Sequence, residues 1–326
     1  MGSSVSYEAI KHSEIEVNGV RLHLAEQGEG PLVLLLHGFP ESWYSWRHQF
    51  APLAEAGYRV VAPDQRGYAR SEQPQNVDAY SLLHLVGDVT ALIRALGAEE
   101  AVVIGHDWGA PVAWTTAALR PDLVRGVAGL SVPPLPVGGP PPLQASRAAF
   151  GEGFYQIYFQ EPGRADAELA ADVKSSLRRI LSGKQPDGVP RPWIVPAGGK
   201  LLDTIPEPER LPDWLTDADL DAFTAEYATH GERAFTGGLN WYRNIDRNAE
   251  LLAAFNGVTV EVPALFIAGE QDLVNAIVPP EVLTHLLGRL PKLRGHVRLP
   301  DTGHWTQQER PAEVNEALLD FLKSLD

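Results

Sequence analysis

The sequence predicts an α/β protein with a mostly parallel central sheet, helices on both faces of the sheet and an inserted helical cap. Short apolar runs alternate with helical patterns early in the chain, a proline-rich break follows, and the strand pattern returns near the C-terminus. Strands that alternate with helices in this way indicate a parallel sheet covered on both faces. With 326 residues the chain is long enough for one core domain that carries a large insertion.

The core elements follow from apolar runs and from the residues that end them. Short apolar runs that stop at Gly, Pro or Asp predict buried strands, and longer amphipathic patterns predict helices. The predicted strands are residues 32–36, 59–62, 101–104, 127–132, 263–268 and 297–299. The predicted helices of the core are residues 43–56, 80–96, 110–119 and 311–325.

The strongest break in the chain is the proline- and glycine-rich run at residues 133–142, which we interpret as a hinge that leaves the sheet. From this hinge to about Asn248 the sequence patterns are helical. The sequence therefore predicts an α/β core domain made of residues 1–134 and 249–326, and a helical cap, or lid, made of residues 135–248.

Two features organise the predicted cap. Thr216 and Asp219 form a capping-box pattern, which opens a helix that runs to Gly231. A long Pro/Gly-rich stretch at residues 183–212 separates the helices. Loops of that length within a domain tend to have a function or to move.

Composition and charge narrow the classes of partner. The formal net charge is -15, so nucleic acid and anionic membranes are not expected as partners. The chain has no cysteine, which excludes disulfides, thiolate catalysis and cysteine-ligated metals and suits a cytoplasmic protein. Residues 1–24 lack a long apolar run, which argues against a signal peptide or membrane span. Residues 1–6 match the loose N-myristoylation pattern, but no basic patch follows to add a second membrane signal.

The segment at residues 101–110 joins a buried strand to a helix through a tight turn, with Gly105 and Gly109 on either side of Asp107. This is the arrangement of a nucleophile elbow, which pushes its central side chain out above the sheet. The N-terminus of the following helix favours the ionised carboxylate. The same residues also fit a plain strand–turn–helix in which Asp107 is an N-cap, so the assignment depends on the rest of the chain.

A carboxylate nucleophile needs a base that activates water in a second half-reaction, and His304 is the candidate. His304 lies in the loop after the last predicted strand, and Asp272 follows the strand before it. A carboxylate beside the base fixes its tautomer, and Glu270 is the alternative to Asp272 in this role. Open parallel sheets place their sites at the carboxyl ends of strands. The chain order Asp107, Asp272, His304 is the order expected of a triad on such a fold.

An oxyanion that forms during the reaction needs hydrogen-bond donors. The backbone N–H groups of Phe39, after the first buried strand, and of Trp108, after the nucleophile, are predicted to converge on one oxygen. Pro40 stiffens the turn after Phe39 and allows a cis peptide bond there. His37 and His106 flank these donors, and we interpret both as structural hydrogen-bonding residues.

Three motifs resemble those of the soluble epoxide hydrolases of the α/β-hydrolase superfamily. They are His37-Gly38-Phe39-Pro40-Glu41-Ser42-Trp43, Asp64-Gln65-Arg66-Gly67-Tyr68 and Gly105-His106-Asp107-Trp108-Gly109. The resemblance runs from about Val17 to the C-terminus and implies the α/β-hydrolase fold with an aspartate nucleophile. Haloalkane dehalogenases share the Asp elbow followed by Trp, so the cap has to decide between the two reactions.

In the family that the chain resembles, two cap tyrosines donate hydrogen bonds to the epoxide oxygen. The segment at residues 154–163 resembles the first tyrosine motif and implies this role for Tyr155, with Tyr158 as the alternative. The segment at residues 240–244 resembles the second motif and implies Tyr242. A phenol with a pKa of about 10 donates a hydrogen bond without being ionised at neutral pH.

The expected enzyme is an epoxide hydrolase that forms a covalent hydroxyalkyl ester on its aspartate and releases a vicinal diol. The ester is hydrolysed by water that His304 and Asp272 activate. No metal or organic cofactor is needed, the expected partners are a small apolar epoxide and water, and the expected assembly is a monomer or a homodimer. The substrate-binding residues are predicted to be Phe39, Trp108, Tyr155 and Tyr242.

Two other functions remain open at the level of sequence. A haloalkane dehalogenase would use the same Asp107, with Trp108 as an N–H donor to the halide. Many dehalogenases carry Asn or Glu where this chain has Phe39, and fluoroacetate-type dehalogenases carry Arg where it has Trp108, so both positions count against halide chemistry. A non-catalytic protein that binds a ligand in the same fold would keep the pocket and lose the base, and the presence of His304 argues against it.

Overall fold

The computed structural model describes residues 9–136, 140–182, 189 and 191–325. Within these residues the centre of the protein is one eight-stranded sheet. Its strands are β1 (Lys11–Val17), β2 (Val20–Gln27), β3 (Leu32–Leu36), β4 (Arg59–Pro63), β5 (Ala101–His106), β6 (Val124–Leu130), β7 (Ala264–Gly269) and β8 (Leu293–Leu299). They lie side by side in the order β1-β2-β4-β3-β5-β6-β7-β8.

Most of the sheet is parallel, as the sequence predicts. β3 to β8 pair in parallel with one another, whereas β1 pairs antiparallel with β2, and β2 pairs antiparallel with β4. The β1–β2 turn is Asn18-Gly19, where both φ angles are positive, at 49° and 71°, which is typical of a two-residue hairpin turn. Neither of these two strands is among those predicted. β1 is largely exposed and contains few apolar residues, whereas β2 is mostly buried but has no continuous apolar run.

Helices lie on both faces of the sheet. They are α1 (Phe50–Glu55), α2 (Leu82–Ala95), α3 (Gly109–Leu119), α4 (Pro142–Phe150), α5 (Tyr155–Tyr158), α6 (Arg164–Ala170), α7 (Val173–Ser182), α8 (Asp217–Ala228), α9 (Thr236–Arg243), α10 (Ile245–Leu251), α11 (Pro280–Gly288), α12 (Thr306–Glu309) and α13 (Pro311–Lys323). α4 to α10 all fall between β6 and β7. α4 to α9 lie within residues 135–248, the region predicted as the cap, and α10 extends three residues beyond it. The domain boundaries themselves stay a prediction, and parts of the predicted hinge and of the predicted long loop lie outside the described residues.

Each face of the sheet has its own apolar core, because side chains along a strand alternate between the two faces. Leu34 and Val103 belong to the core that packs against α2 and α3, and Val33 and Ile104 belong to the core that packs against α1 and α13. All five residues of β3 are buried, as expected for a parallel strand covered on both faces. This double burial is the reason why the central strands are readable as continuous apolar runs.

The single helix predicted at residues 43–56 is wrong. A 3-10 turn at Trp43–Trp46, capped by the Ser42 side chain, is separate from α1. A continuous helix would need the missing N–H of Pro52 and would clash with its ring, so the chain starts a new helix instead.

The capping box in the cap is confirmed. The Asp219 N–H donates to Oγ1 of Thr216 over 3.1 Å, and α8 begins directly after Thr216. This helix ends at Ala228, earlier than predicted, and Gly231 starts a separate 3-10 turn. α11, between β7 and β8, is not among the predicted helices.

No helix in the described ranges is long and apolar enough to cross a membrane.

Candidate active site

The turn between β5 and α3 is a sharp elbow with Asp107 at its tip. Asp107 has a positive φ of 48°, which is uncommon for a residue with a side chain and is typical of functional turns. A Cβ atom at Gly105 would overlap the carbonyl oxygen of Gly109, and one at Gly109 would overlap that of Leu36. Only glycine therefore lets the strand and the helix approach closely enough to project the carboxylate above the sheet.

The Asp107 carboxylate is held at both oxygens. Oδ1 accepts a 2.7 Å hydrogen bond from the Phe39 N–H, and Oδ2 lies 3.3 Å from Nε2 of His304. Burial acts to raise the pKa of Asp107, but the hydrogen bond and the charge of His304 outweigh it, so the pKa lies below its ordinary value. The carboxylate is thus ionised, which a role as nucleophile would require.

His304 and Asp272 form the pair that the sequence predicts. Nδ1 of His304 donates to Oδ1 of Asp272 over 2.9 Å, which leaves Nε2 facing Asp107. Burial acts to lower the pKa of His304, but the two carboxylates outweigh it and raise the pKa well above its ordinary value. Glu270, the alternative acid, lies instead 3.5 Å from Arg298 with its side chain largely exposed.

The two predicted oxyanion donors differ in whether they contact the Asp107 carboxylate. Among the described residues, only the Phe39 N–H donates a backbone hydrogen bond to the Asp107 carboxylate. Trp108 follows Asp107 and directly precedes α3, and its indole ring packs edge-on against the Tyr242 ring at 5.1 Å. The Phe39–Pro40 peptide bond is cis. The Trp108 N–H as an oxyanion donor stays a prediction.

Tyr155 on α5 and Tyr242 on α9 lie next to each other, with ring centroids 6.0 Å apart. Both side chains are buried. Burial and the charge of Asp107 raise the pKa of each phenol above its ordinary value, so both stay protonated at neutral pH. The Tyr155 oxygen accepts a 3.0 Å hydrogen bond from the side-chain amide of Gln156, so its O–H hydrogen remains available to a substrate.

Tyr158 is engaged elsewhere. Its hydroxyl donates to Oε2 of Glu168 over 2.6 Å, and the guanidinium of Arg164 lies over its ring. Burial and Glu168 raise the pKa of Tyr158 to about 12. Of the two candidates for the first cap donor, the geometry therefore favours Tyr155.

Two side chains join the helices that carry these phenols. The amide of Gln160 donates to the carbonyl oxygens of Gln156, at 2.8 Å, and of Tyr242, at 2.9 Å. Arg243 donates to the carbonyl oxygen of Phe159 and pairs with Asp166, both largely buried. The spacing of the two phenols thus depends on side-chain contacts between α5, α6 and α9.

A second histidine–carboxylate pair lies behind the first. Nδ1 of His106 contacts Oε2 of Glu41 at 2.7 Å, and its Nε2 donates to the backbone oxygen of His304 at 2.8 Å. Burial acts to raise the pKa of Glu41, but His106 outweighs it and the pKa lies below its ordinary value. His106 is structural, as predicted, and so is His37, whose Nε2 accepts from the Gln65 N–H.

Sequence reasoning missed Glu41, although it lies within the motif at residues 37–43. Its carboxylate also accepts hydrogen bonds from the side-chain amides of Gln307 and Gln308, both at 3.0 Å. Burial of an acidic residue in a loop next to the nucleophile is not visible in the sequence. The only signal was its position between Pro40 and a run of aromatic residues.

Comparison with known proteins defines first the class and then the family. Residues 31–311 match the family model of the α/β-hydrolase fold. Epoxide hydrolase A of Mycobacterium tuberculosis is 46% identical over 318 residues, which cover 96% of this chain and 97% of that protein. Epoxide hydrolase 1 of Siraitia grosvenorii is 41% identical, covering 97% of this chain and 99% of that protein.

Solved structures agree. The crystal structure of epoxide hydrolase A from Mycobacterium thermoresistibile has a TM-score of 0.89 and 50% identity, covering 97% of this chain and 99% of that one. An epoxide hydrolase from an endophytic Streptomyces has a TM-score of 0.92 and 46% identity, covering 98% and 96%. The chain belongs to the epoxide hydrolase family of the α/β-hydrolase superfamily, and the predicted fold and enzyme class are confirmed.

Proposed function

We propose that this enzyme opens an epoxide to a vicinal diol through a covalent hydroxyalkyl ester on Asp107. The observation that carries the proposal is the position of the ionised Asp107 carboxylate between a histidine–carboxylate pair and two tyrosine phenols. On one side it faces the His304–Asp272 pair. On the other lie two buried phenols: the Tyr242 ring packs against Phe39 and Trp108, which flank the carboxylate, and Tyr155 packs against Tyr242. Nucleophile, base and proton donors thus surround one small volume.

In the first step, a carboxylate oxygen of Asp107 attacks an epoxide carbon. The carbon–oxygen bond of the ring breaks, and its electron pair goes to the epoxide oxygen. Tyr155 and Tyr242 donate hydrogen bonds to that oxygen, and one of them transfers its proton as the alkoxide forms. Because an alkoxide is a poor leaving group in water, ring opening needs a proton donor. The phenols supply this proton, which the ionised carboxylate cannot.

In the second step, Nε2 of His304 takes a proton from a water molecule, which attacks the carboxyl carbon of the Asp107 ester. Asp272 stabilises the imidazolium that forms. The negative charge that develops on the carbonyl oxygen of the ester is stabilised by hydrogen bonds from the Phe39 and Trp108 N–H groups. The ester bond then breaks, and the leaving alkoxide takes the proton held by His304 to complete the diol. The second proton of the water, left on the Asp107 carboxyl, passes to the ionised tyrosine, which restores the phenol and the carboxylate.

The proposed substrate is a small, apolar epoxide. The Phe39 ring packs edge-on against Phe159 at 5.9 Å and against Tyr242 at 5.5 Å, and Tyr155 packs against Trp193 at 5.6 Å. Aromatic surroundings of this kind favour uncharged, apolar ligands. We propose a cytoplasmic enzyme that works as a monomer or homodimer without metal or cofactor.

Dehalogenation is the less well supported reaction. A halide needs N–H donors from Trp or Asn side chains, and position 39, where many dehalogenases carry Asn or Glu, is Phe in this chain. A halide also needs no proton donor, so two buried phenols beside Asp107 would have no purpose. Release of halide from haloalkanes without formation of diol from epoxides would reverse this preference.

The experiment that tests the mechanism is a single turnover in heavy-oxygen water with enzyme in excess over styrene oxide. The label is expected in the carboxylate of the Asp107 peptide, measured by mass spectrometry, because water attacks the ester carbonyl. In the His304→Gln variant, the same peptide is expected to carry the mass of the added epoxide. Direct entry of the label into the diol, with an unlabelled Asp107 peptide, would reject the covalent route.

A further inference from the structure

Ser131 follows β6 directly and has an unusual backbone conformation. Its φ is 69°, in the left-handed region that residues with a side chain rarely adopt, and its side chain is buried, with 2% of the residue exposed. Its own N–H donates to the carbonyl oxygen of Ile267 in β7. Backbone strain of this kind persists only where the surroundings hold it, and it concentrates at functional sites.

The Ser131 hydroxyl acts on the main chain of the base. Its Oγ donates to the backbone oxygen of His304 over 2.8 Å, and the same oxygen accepts from Nε2 of His106. Two buried donors from the ends of neighbouring strands therefore fix the peptide of His304. A base placed on a loop needs such support, because the loop itself has no ladder of hydrogen bonds.

The same hydroxyl lies next to the acid. Oδ1 of Asp272 is used by His304 and by the Val274 N–H, whereas Oδ2 is buried and accepts no hydrogen bond from any residue that the structure describes. Burial acts to raise the pKa of Asp272, but His304, the Val274 N–H and, to a smaller extent, Ser131 outweigh it and lower the pKa. A buried carboxylate oxygen without a donor is costly, and a neighbouring hydroxyl that can rotate is the natural partner.

We propose that Ser131 is a positioning residue for the base: its single hydroxyl hydrogen is donated to the His304 peptide in the resting site and turns to the free oxygen of Asp272 while the His304 imidazole is neutral, when His106 still holds the peptide. The inference rests on the proposed function, since it concerns the step in which His304 activates water. The proposal predicts different effects on the two half-reactions. Attack by Asp107 does not require a base, so the hydroxyl matters for hydrolysis of the ester and not for its formation.

The charged and titratable groups around His304 set the direction of the expected pH effect. The imidazole faces Asp107 and Asp272, and its backbone oxygen faces His106, which is paired with Glu41. In the ester, Asp107 has lost its charge, so Asp272 is the remaining carboxylate against the imidazole. Without the Ser131 donor, the charge of Asp272 attracts the proton of His304 more strongly, and the pKa of His304 rises.

The test measures the rate constants for ester formation and ester hydrolysis separately, by quenched single turnovers of styrene oxide between pH 5 and pH 9. Ser131→Ala removes the hydroxyl and retains the backbone strain, Ser131→Gly removes the hydroxyl and relieves the strain, and Ser131→Asn keeps a donor on a residue that tolerates this φ. Ser176→Ala is the matched control, because Ser176 is a buried serine of α7 whose hydroxyl also donates to a backbone carbonyl over 2.8 Å.

Ser131→Ala and Ser131→Gly are expected to slow ester hydrolysis by about 3- to 10-fold, the effect of one lost buried hydrogen bond. The rising limb of the hydrolysis profile is expected to move to higher pH, and ester formation is expected to stay within about 2-fold of the wild-type rate. Ser131→Asn is expected to regain much of the hydrolysis rate. Ser176→Ala is expected to match the wild type in both steps.

An unchanged hydrolysis rate and an unmoved pH profile in Ser131→Gly would overturn the inference, and so would an equal loss in both steps. If Ser131→Ala does not fold, Ser131→Gly still provides the measurement, because glycine adopts this φ without strain. Formation of the ester in the wild type is the separate check on the proposed function. If no ester forms even in His304→Gln, both proposals are rejected together.

Discussion

The active site has a sheet side and a helical side, which contribute chemically different groups. The sheet side provides the ionisable groups, Asp107, Asp272 and His304, each in the loop that follows a parallel strand. The helical side provides two neutral phenols, Tyr155 and Tyr242, on the short helices α5 and α9. Charged groups thus lie where they stabilise one another, and uncharged donors lie where burial keeps them protonated.

The two sides also differ in what holds them in place. On the sheet side, the positions are fixed by the backbone, since β5 is hydrogen-bonded to a parallel neighbour on each edge. On the helical side, side chains such as Gln160 and the Arg243–Asp166 pair provide the connection. We infer that the sheet side determines whether the chemistry occurs, and that the helical side determines how fast an epoxide opens.

The largest expected effect is on the sheet side. Asp107→Asn is expected to lower diol formation by at least about 10,000-fold, because a neutral amide does not form the ester. Diol formation from styrene oxide, followed by chromatography, measures this loss. Asp122→Asn, which changes an exposed aspartate paired with Arg120, is the control and is expected to match the wild type. Substantial diol formation by Asp107→Asn would contradict the role of the carboxylate as nucleophile.

An intermediate effect is expected on the helical side. Tyr155→Phe and Tyr242→Phe are each expected to slow ester formation by about 100-fold, in the range that loss of one general acid produces. Tyr158→Phe is expected to stay within about 2-fold, since its hydroxyl serves Glu168. Rapid mixing with single-turnover analysis gives the rate. A slowing in Tyr158→Phe as large as in Tyr155→Phe would transfer the role to Tyr158.

The charges on the sheet side are expected to make stability depend on pH. The pKa of His304 is raised in the folded protein despite burial, because Asp272 and Asp107 outweigh it. The stability from its proton is therefore fully present below about pH 6.5, the ordinary value, and is lost as pH rises through the folded value. Melting temperatures from pH 6 to pH 9 are expected to fall more steeply for the wild type than for His304→Gln. Parallel slopes would show that the imidazolium adds no stability.

The smallest expected effect is confined to the helical side. Thr216→Ala removes the side-chain cap of α8 and is expected to lower the free energy of unfolding by about 1 kcal/mol, or the melting temperature by about 2 °C. Diol formation at room temperature is expected to be unchanged. Thr216→Ser keeps the capping oxygen and is the control. A loss of activity without a loss of stability would show that α8 acts on the active site directly.

Some of the site could be predicted from local sequence because its signals are local. Gly105 and Gly109 mark the elbow around Asp107, since the backbone there admits no side chain. The predicted loops of Asp272 and His304 follow apolar strands, and the structure pairs these two residues and places His304 next to Asp107. The pairing of Tyr155 with Tyr242 came from resemblance to a family and had no local signal.

Other features required the tertiary structure. Burial of Glu41 depends on His106, Gln307 and Gln308, which lie 65 to 267 positions away in the chain. The choice between Tyr155 and Tyr158, three residues apart, depends on which of them Glu168 occupies.

By itself, the sequence determined the parallel sheet, the elbow at Asp107 and the chain order of the predicted triad. Buried strands require runs of apolar residues, and tight turns require glycine, so both are visible in the local sequence. Only the tertiary structure decided which polar side chains support that triad. Ser131 bonds to a residue 173 positions away, and Gln160 bonds to one 82 positions away. The sequence around a serine or glutamine does not reveal such a partner. The hydrogen bond depends on where the folded chain places an acceptor, and not on the neighbouring residues in sequence.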